Sequence, residues 1–355
     1  MAVKRLGKKG VFLTFISIAI IAALIIMFTP SDINLKKDIS VVKTRVSKVD
    51  EYVFDLENVY LENTLKAIGR RTIISLIKYM EAETINTGTE VFLTDFENDF
   101  SQVLLDGTIG NPPIPIDAYY PETIMTDKTY RDYLYANDAI SIKKAAEKTL
   151  NVQTKFDLIT ISDIGVSQIS PWFVDVEADI NITISTVEGT ASWTRSVAIK
   201  TSIAIENFDD PYYLVKTAGS YVNKIRKSGT KFDEWDVNKV KDFIRNGNYT
   251  HFENSQAPSF IDRFTNNIAP SSCCGIESLV NPNKLFDLGE PRDVDVSYVD
   301  YKFWSTTPTC PSSNLYTVTG ISGGADEFTN FKLDFNHIVL YNLLSESQLK
   351  CPPEE

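Results

Sequence analysis

Residues 172–184 read WFVDVEADINITI, and this stretch decides the fold. Trp172, Val174, Val176, Ala178, Ile180, Ile182 and Ile184 share one parity, while Phe173, Asp175, Glu177, Asp179, Asn181 and Thr183 share the other. Successive side chains of a strand point to opposite faces, so the alternation predicts a half-buried strand with one wet face. Val187-Glu188-Gly189-Thr190 predicts a turn, and Trp193, Val197, Ile199, Ile203 and Ile205 repeat the alternation on a return strand. Val152 to Ile161 supplies a third strand. An antiparallel meander with a single apolar face needs a cover, and the sequence before it is helical.

Between Asp32 and Ile68 there is no Gly or Pro, and apolar residues recur at Leu35, Ile39, Val42, Val46, Val49, Val53, Leu56 and Tyr60. The steps of four and three are the heptad period. They predict a helix from Asp32 to about Met80, about 70 Å long at the helical rise. Its stripe either packs along the protein's own globular part, as expected here, or forms a homotypic coiled coil. Ile73, Ile74, Leu76, Ile77 and Met80 widen the apolar face, which predicts burial among other elements. Further helices fit Glu90 to Leu105 and Lys128 to Leu150. Between them the prolines of Gly110-Asn111-Pro112-Pro113-Ile114-Pro115 predict an extended connector.

Upstream, Lys4, Arg5, Lys8 and Lys9 precede a run without charge, Val11 to Thr29, about long enough to cross a bilayer. Basic residues before the run and Asp32 after it predict an N-terminus in the cytoplasm and a bulk outside it. A cleaved secretory signal and a permanent single-pass anchor both fit the segment, although its bulky exit Ile25-Ile26-Met27-Phe28 lacks a small-residue cleavage site. Lys8-Lys9-Gly10 followed by Val11-Phe12-Leu13-Thr14-Phe15 also resembles the leader of type IV pilin-like proteins, archaeal ones in particular. The resemblance is confined to the leader and its helix. It implies cleavage between Gly10 and Val11 and a helix that runs on into an outer domain built helix first, then sheet.

The expected fold class is therefore α+β. A transmembrane helix continues into a long helix packed on an antiparallel sheet, and a mixed, disulfide-stapled domain follows. The expected divisions are 1–30 (basic leader and membrane helix), 31–150 (helical region), 151–228 (meander) and 229–355 (cysteine-containing domain). In the last of these a short helix fits Asp236 to Arg245, a helical turn Ser259 to Phe264, and strands Val294 to Phe303, Leu315 to Ile321 and Phe331 to Phe335. All four cysteines, Cys273, Cys274, Cys310 and Cys351, fall in the last quarter. An even, late cluster outside the cytoplasm predicts two disulfides rather than a zinc site, since no C-x-x-C pair exists. Adjacent cysteines strain the peptide between them when bonded, so Cys273 and Cys274 are expected to pair with Cys310 and Cys351, in either order.

The net charge is −12, and −16 without the four leader cations. An acidic outer part makes nucleic acid an unsuitable partner, because affinity for it comes from Lys and Arg on phosphates. The 43% hydrophobic content is enough to fill real cores and excludes a disordered ectodomain. Two histidines, His251 and His337, occur in no paired ligand spacing, and P-loop, dinucleotide and nucleophile-elbow motifs are missing. His251 reads as a surface residue of a polar loop. Asp293, Asp295 and Asp300, like Asp209 and Asp210, read as solvated acids rather than a calcium loop. The loop aromatics of Phe208 to Tyr213 and Phe252 to Phe264 read as loops packed onto a core. Asn181 and Asn248 each open an N-x-T glycosylation sequon.

No cofactor, metal ligand or catalytic residue is predicted. The expected function is a non-enzymatic, membrane-anchored cell-surface protein, structural or adhesive. Its partners would be the membrane, through residues 11–29, and further copies or pilus subunits, through the N-terminal helix. A single-copy envelope binding module or assembly factor is the alternative, with an exported hydrolase behind it.

Overall fold

The computed structural model describes residues 32–116, 129–131, 141–253, 256–288, 295–305, 315–322, 328 and 331–351. The leader, the Gly10–Val11 bond and the apolar run 11–29 lie outside them. Among the described residues no helix is long and apolar enough to cross a membrane. The chain divides into two units, Met1–Asp55 and Leu56–Glu355. The boundary expected near residue 228 therefore falls inside the second unit, where the backbone of Ser228 and Arg226 bonds that of Tyr249.

In the first unit the described element is α1, Asp32–Asp55. Val46 is 46% exposed, and Val49 and Val53 are only partly buried. A two-residue seam per heptad is narrower than the face that packs a helix into a globular core.

The second unit opens with a π-helical turn, Leu56–Leu61, followed by α2, Glu62–Thr87. The helix passes the expected end at Met80 and stops at Gly88, whose left-handed backbone lets its N–H bond the Thr84 carbonyl. Leu65, Ile73, Leu76, Ile77 and Met80 are buried, as the wide apolar face predicts. The next helix, α3, runs Phe96–Asp106 and starts later than expected because the Asp95 carboxylate caps it by accepting from the Asn98 N–H. The proline-rich connector folds back on itself as a small hairpin, β1 (Thr108–Ile109) with β2 (Ile114–Pro115). Of the helix expected to end at Leu150, α4, Ser141–Leu150, is described.

The meander is present. Strand β3 is Val152–Phe156, β4 Ile164–Ser170, β5 Phe173–Thr186 and β6 Ser192–Ala204. All pairings are antiparallel, with Val176 opposite Thr201 and Ile180 opposite Val197. Strand β6 runs along one edge of β5, while β3 and β4 share the other edge in succession. Strand β4 was not expected. It has no clean alternation, and its register slips between Ser167 and Ser170. Val174, Val176, Ala178, Ile180, Ile182 and Ile184 are all buried. Helix α2 covers this apolar face closely: a Cβ on Gly69 would stand 2.7 Å from Ile203 Cδ1.

Beyond the sheet, α5 (Pro211–Lys216) is capped by the Asp210 carboxylate on the Tyr212 N–H. Helix α6 (Val237–Asn246) is capped by Asp236 on Lys239. The helical turn expected over 259–264 is Asp262–Thr265. Helix α7 is Pro282–Asp287. The strand expected over 294–303 is corrected: Asp300–Phe303 is a helical turn, α8. Its first residue is drawn inward, where the Asp300 carboxylate accepts from the Ser278 and Tyr301 N–H groups. A three-stranded sheet, ordered β8-β7-β9, closes the chain, with β7 Leu315–Val318, β8 Lys332–Asp334 and β9 Ser347–Cys351. Thr319–Ser322 and Phe335–Leu340 form α9 and α10.

The cysteine pairing is also corrected. Cys273 and Cys274 are bonded to each other, not to Cys310 and Cys351. The local reason is a turn in which the Ser271 N–H bonds the Ala257 carbonyl and Ser271 Oγ accepts from the Cys274 N–H. Both sulfurs then converge on the Gln168 carbonyl oxygen, 3.5 and 3.2 Å away. Cys310 and the Cys351 side chain lie outside what is described.

Candidate functional site

Two charge clusters are buried in the second unit. The first is built around Arg263, on the turn after the Phe260 loop. Its Nη1 donates to Asp210 Oδ2 at 2.7 Å and pairs with Asp300 Oδ2 at 2.9 Å, and all three side chains have 0% exposure. Nη2 donates to the Ile276 carbonyl. Tyr249 OH donates to Asp210 Oδ2 at 2.7 Å and accepts from Asn223 Nδ2. Ser278 Oγ donates to Asp300 Oδ2 at 2.9 Å and exchanges a hydrogen bond with Tyr213 OH. Burial opposes the charge on Arg263, but Asp210 and Asp300 outweigh it and hold the guanidinium well above its ordinary value. Burial lifts the Asp300 carboxyl above its usual range against the pull of Arg263.

The second cluster is centred on His337, in the first turn of α10. Its Nδ1 lies 2.8 Å from Asp334 Oδ2, the carboxylate that caps α10. Its Nε2 lies 3.2 Å from Glu277 Oε2, whose other oxygen accepts from Tyr341 OH at 2.8 Å. Ser297 Oγ donates to Asp334, and Lys302 pairs with it at 3.2 Å. Burial favours the neutral ring, yet Glu277 and Asp334 overcome it and raise His337 to about 9. Against the rise that burial alone would cause, His337 holds Asp334 well below the carboxylate range. Glu277 and Ser278 are neighbours in the chain, so one backbone segment serves both clusters.

The arrangement differs from a nucleophile–base–acid set. His337 is held as a cation, and its Nε2 faces Glu277 and Tyr301 rather than a Ser or Cys. Ser297 bonds the acid, not the ring. What the two clusters do is tie segments that are far apart in sequence into one interior.

Among the described residues, a groove of about 690 Å³ runs along β4, β5 and β6, bordered by Glu62 of α2 and Glu97 of α3. Phe173, Asp175, Glu177 and Lys200 line it. Glu177 pairs with Lys200 at 2.9 Å, and Asp175 Oδ1 accepts from Ser202 Oγ. Asp175 Oδ2 and Thr201 Oγ1 are buried without a hydrogen-bond partner.

The residues singled out from sequence are scattered. Asn181 is exposed on the wet face of β5, and Asn248 is half-buried after α6. His251 is not a free surface residue: its Nδ1 lies 2.7 Å from the Gly275 carbonyl, so that nitrogen carries the hydrogen. Asp210 and Asp300 are interior ion partners rather than solvated acids. Asp209 reaches Lys78 and Lys224 at 3.7 Å, and Asp295 pairs with Lys332 at 2.9 Å; Asp293 lies outside the described residues. The aromatics Phe208, Tyr212, Tyr213, Phe252, Phe260 and Phe264 are buried, as packed loops require. Among the described residues no group of three or more His, Cys, Asp or Glu is placed to hold a metal ion. Sequence reasoning missed both charge clusters. Asp210 before Pro211 and Asp334 three residues before His337 carry cap signals, but nothing local marks Arg263 or Glu277.

Comparison with models of known families, with characterised proteins and with solved structures finds no match to this chain.

Proposed function

We propose that the protein is a non-enzymatic, membrane-anchored cell-surface protein of pilin-like build, structural or adhesive in role. The observation that carries this reading is the helix-on-sheet plan of the second unit, in which α2 packs on β5 and β6 through Gly69 and Ile203. In the sequence that plan follows a basic leader and an apolar run, the order of a pilin-like chain. Residues 11–29 would hold the membrane, with the N-terminus in the cytoplasm and the remainder outside. Apolar helices of several copies would bury one another, while acidic heads stay solvated. Sealed ion clusters suit a head that must keep one shape outside the cell.

Mass spectrometry of the mature N-terminus in membrane fractions tests the reading. A chain that begins at Val11 and sediments with membranes supports it. A chain that keeps Met1 or Ala2 leaves a simple anchor, and recovery in the cytosolic fraction overturns the reading.

The groove favours a second reading, a single-copy binding module, because it presents the exposed Phe173 ring beside the Glu177–Lys200 ion pair. Cross-linking in intact cells separates the two: ladders of this chain support the first reading, and single copies the second.

A further inference from the structure

We propose that Cys273–Cys274 is a reversible two-electron redox site that governs how tightly the segment 274–278 is held, and through it both buried charge clusters. Cys273 is exposed, whereas Cys274 is buried. Cys273 is therefore the half of the pair that an external thiol meets. The Gln168 carbonyl oxygen lies 3.2 Å from Cys274 Sγ. In the disulfide neither sulfur carries a proton to give it. In the dithiol the Cys274 S–H has an acceptor already in place, so the buried thiol of the reduced form is satisfied.

The segment that follows is wired into the interior one residue at a time. Gly275 accepts from His251 at its carbonyl and lies so close to Ala257 that a Cβ would stand 2.2 Å from the Ala257 carbonyl oxygen. The Ile276 N–H bonds the Pro258 carbonyl, and the Ile276 carbonyl accepts from Arg263. Glu277 exchanges two backbone bonds with Thr250 and presents its carboxylate to His337 and Tyr341. The disulfide closes a small ring over the peptide between its cysteines and so fixes the entry to this segment. Opening the ring returns rotational freedom to both residues and to that peptide.

The reductant is a dithiol. Its thiolate attacks the exposed Cys273 Sγ, the S–S bond breaks, and Cys274 leaves as a thiolate that takes up a proton. The second thiol of the reductant then displaces Cys273 from the mixed disulfide. Cys273 also ends as a thiol, and the reductant ends as a disulfide. Two electrons and two protons pass to the protein.

The full-length chain in detergent micelles, treated with dithiothreitol at pH 8 under native conditions, tests this. Alkylation and peptide mapping follow the cysteines, and amide hydrogen exchange follows the segment. The expected result is alkylation of Cys273 and Cys274 only after reduction. Exchange at Cys274, Ile276 and Glu277 should rise at least tenfold while the amides of β5 keep their protection. Reoxidation should restore the slow exchange. The response should persist in a Cys310→Ser/Cys351→Ser chain and be lost in a Cys273→Ser/Cys274→Ser chain, which should exchange fast without reductant. Mapping that joins Cys273 or Cys274 to another cysteine, reduction only on global unfolding, or unchanged exchange in 274–278 after reduction would each overturn the proposal.

Discussion

Arg263 and Asp210 are 53 residues apart in the chain and meet at 2.7 Å, both fully buried. The pair joins the end of the meander to the loop that follows α6, and Asp300 pairs with the same guanidinium nitrogen. Removing the cation would leave two carboxylates in the interior without their partner. Arg263→Met should therefore destabilise the second unit by about 3–5 kcal/mol, read as a lowered urea midpoint. Adding Asp210→Asn and Asp300→Asn should recover part of the loss, because the neutral amides no longer need the cation. A single variant that unfolds at the wild-type midpoint would remove Arg263 from the interior account.

The His337 cluster makes stability depend on pH in a definite direction. In the fold the ring stays protonated up to about 9, against an ordinary value of 6.5. Its contribution is complete below about pH 6.5 and is lost as pH rises through about 9. Asp334 is shifted the opposite way, so its share is present above its ordinary 3.8 and disappears only in strong acid. Melting temperatures of wild type and His337→Gln at pH 6, 8 and 10 check this. The variant should lie well below wild type at pH 6, and the gap should close by pH 10. A gap that stays constant across the series would contradict a charged ring.

The parts of this fold that were legible in the sequence are those where one residue's neighbours in the chain are also its determinants. The alternation at Val174 to Ile184 fixed which side chains are buried, and every one of them is. The wide face at Ile73 to Met80 was readable for the same reason. Helix starts were read less well, because a single cap such as Asp95 overrides several residues of favourable composition. The clusters were not legible, since Arg263, Asp210 and Asp300 carry no mutual spacing and meet only after the loops have folded. The cysteines misled because ring strain was weighed without the turn at Ser271, which carries both sulfurs to Gln168.

Two glycines separate a tolerant contact from a closed one. A Cβ on Gly69 meets a side-chain terminus, Ile203 Cδ1 at 2.7 Å, and the helix gains about 1 kcal/mol of propensity from the change. Gly69→Ala should therefore alter stability by less than about 1 kcal/mol. A Cβ on Gly275 meets backbone, the Ala257 carbonyl oxygen at 2.2 Å, which has no rotamer to retreat into. Gly275→Ala should cost on the order of 2–3 kcal/mol and disturb the Arg263 contact at Ile276. Equal melting temperatures for the two variants would refute the distinction.

The valine stripe of α1 yields the last expectation. A stripe packed along the protein's own globular part would make Val46→Lys/Val49→Lys costly to the fold. Val46 is 46% exposed and Val49 only partly buried, whereas Leu65 and Leu76 of α2 are sealed. A lysine at an exposed helical site keeps its charge in water, so the double variant should leave the melting temperature of the second unit within about 2 °C of wild type. Leu76→Lys, which puts one charge into the sealed face, should abolish cooperative melting. The same double variant also reads association. If copies join through this stripe, repulsion between lysines should lower the particle mass in light scattering while melting is unchanged. Unaltered mass would assign the stripe to solvent, and a lost melting transition would return it to the interior.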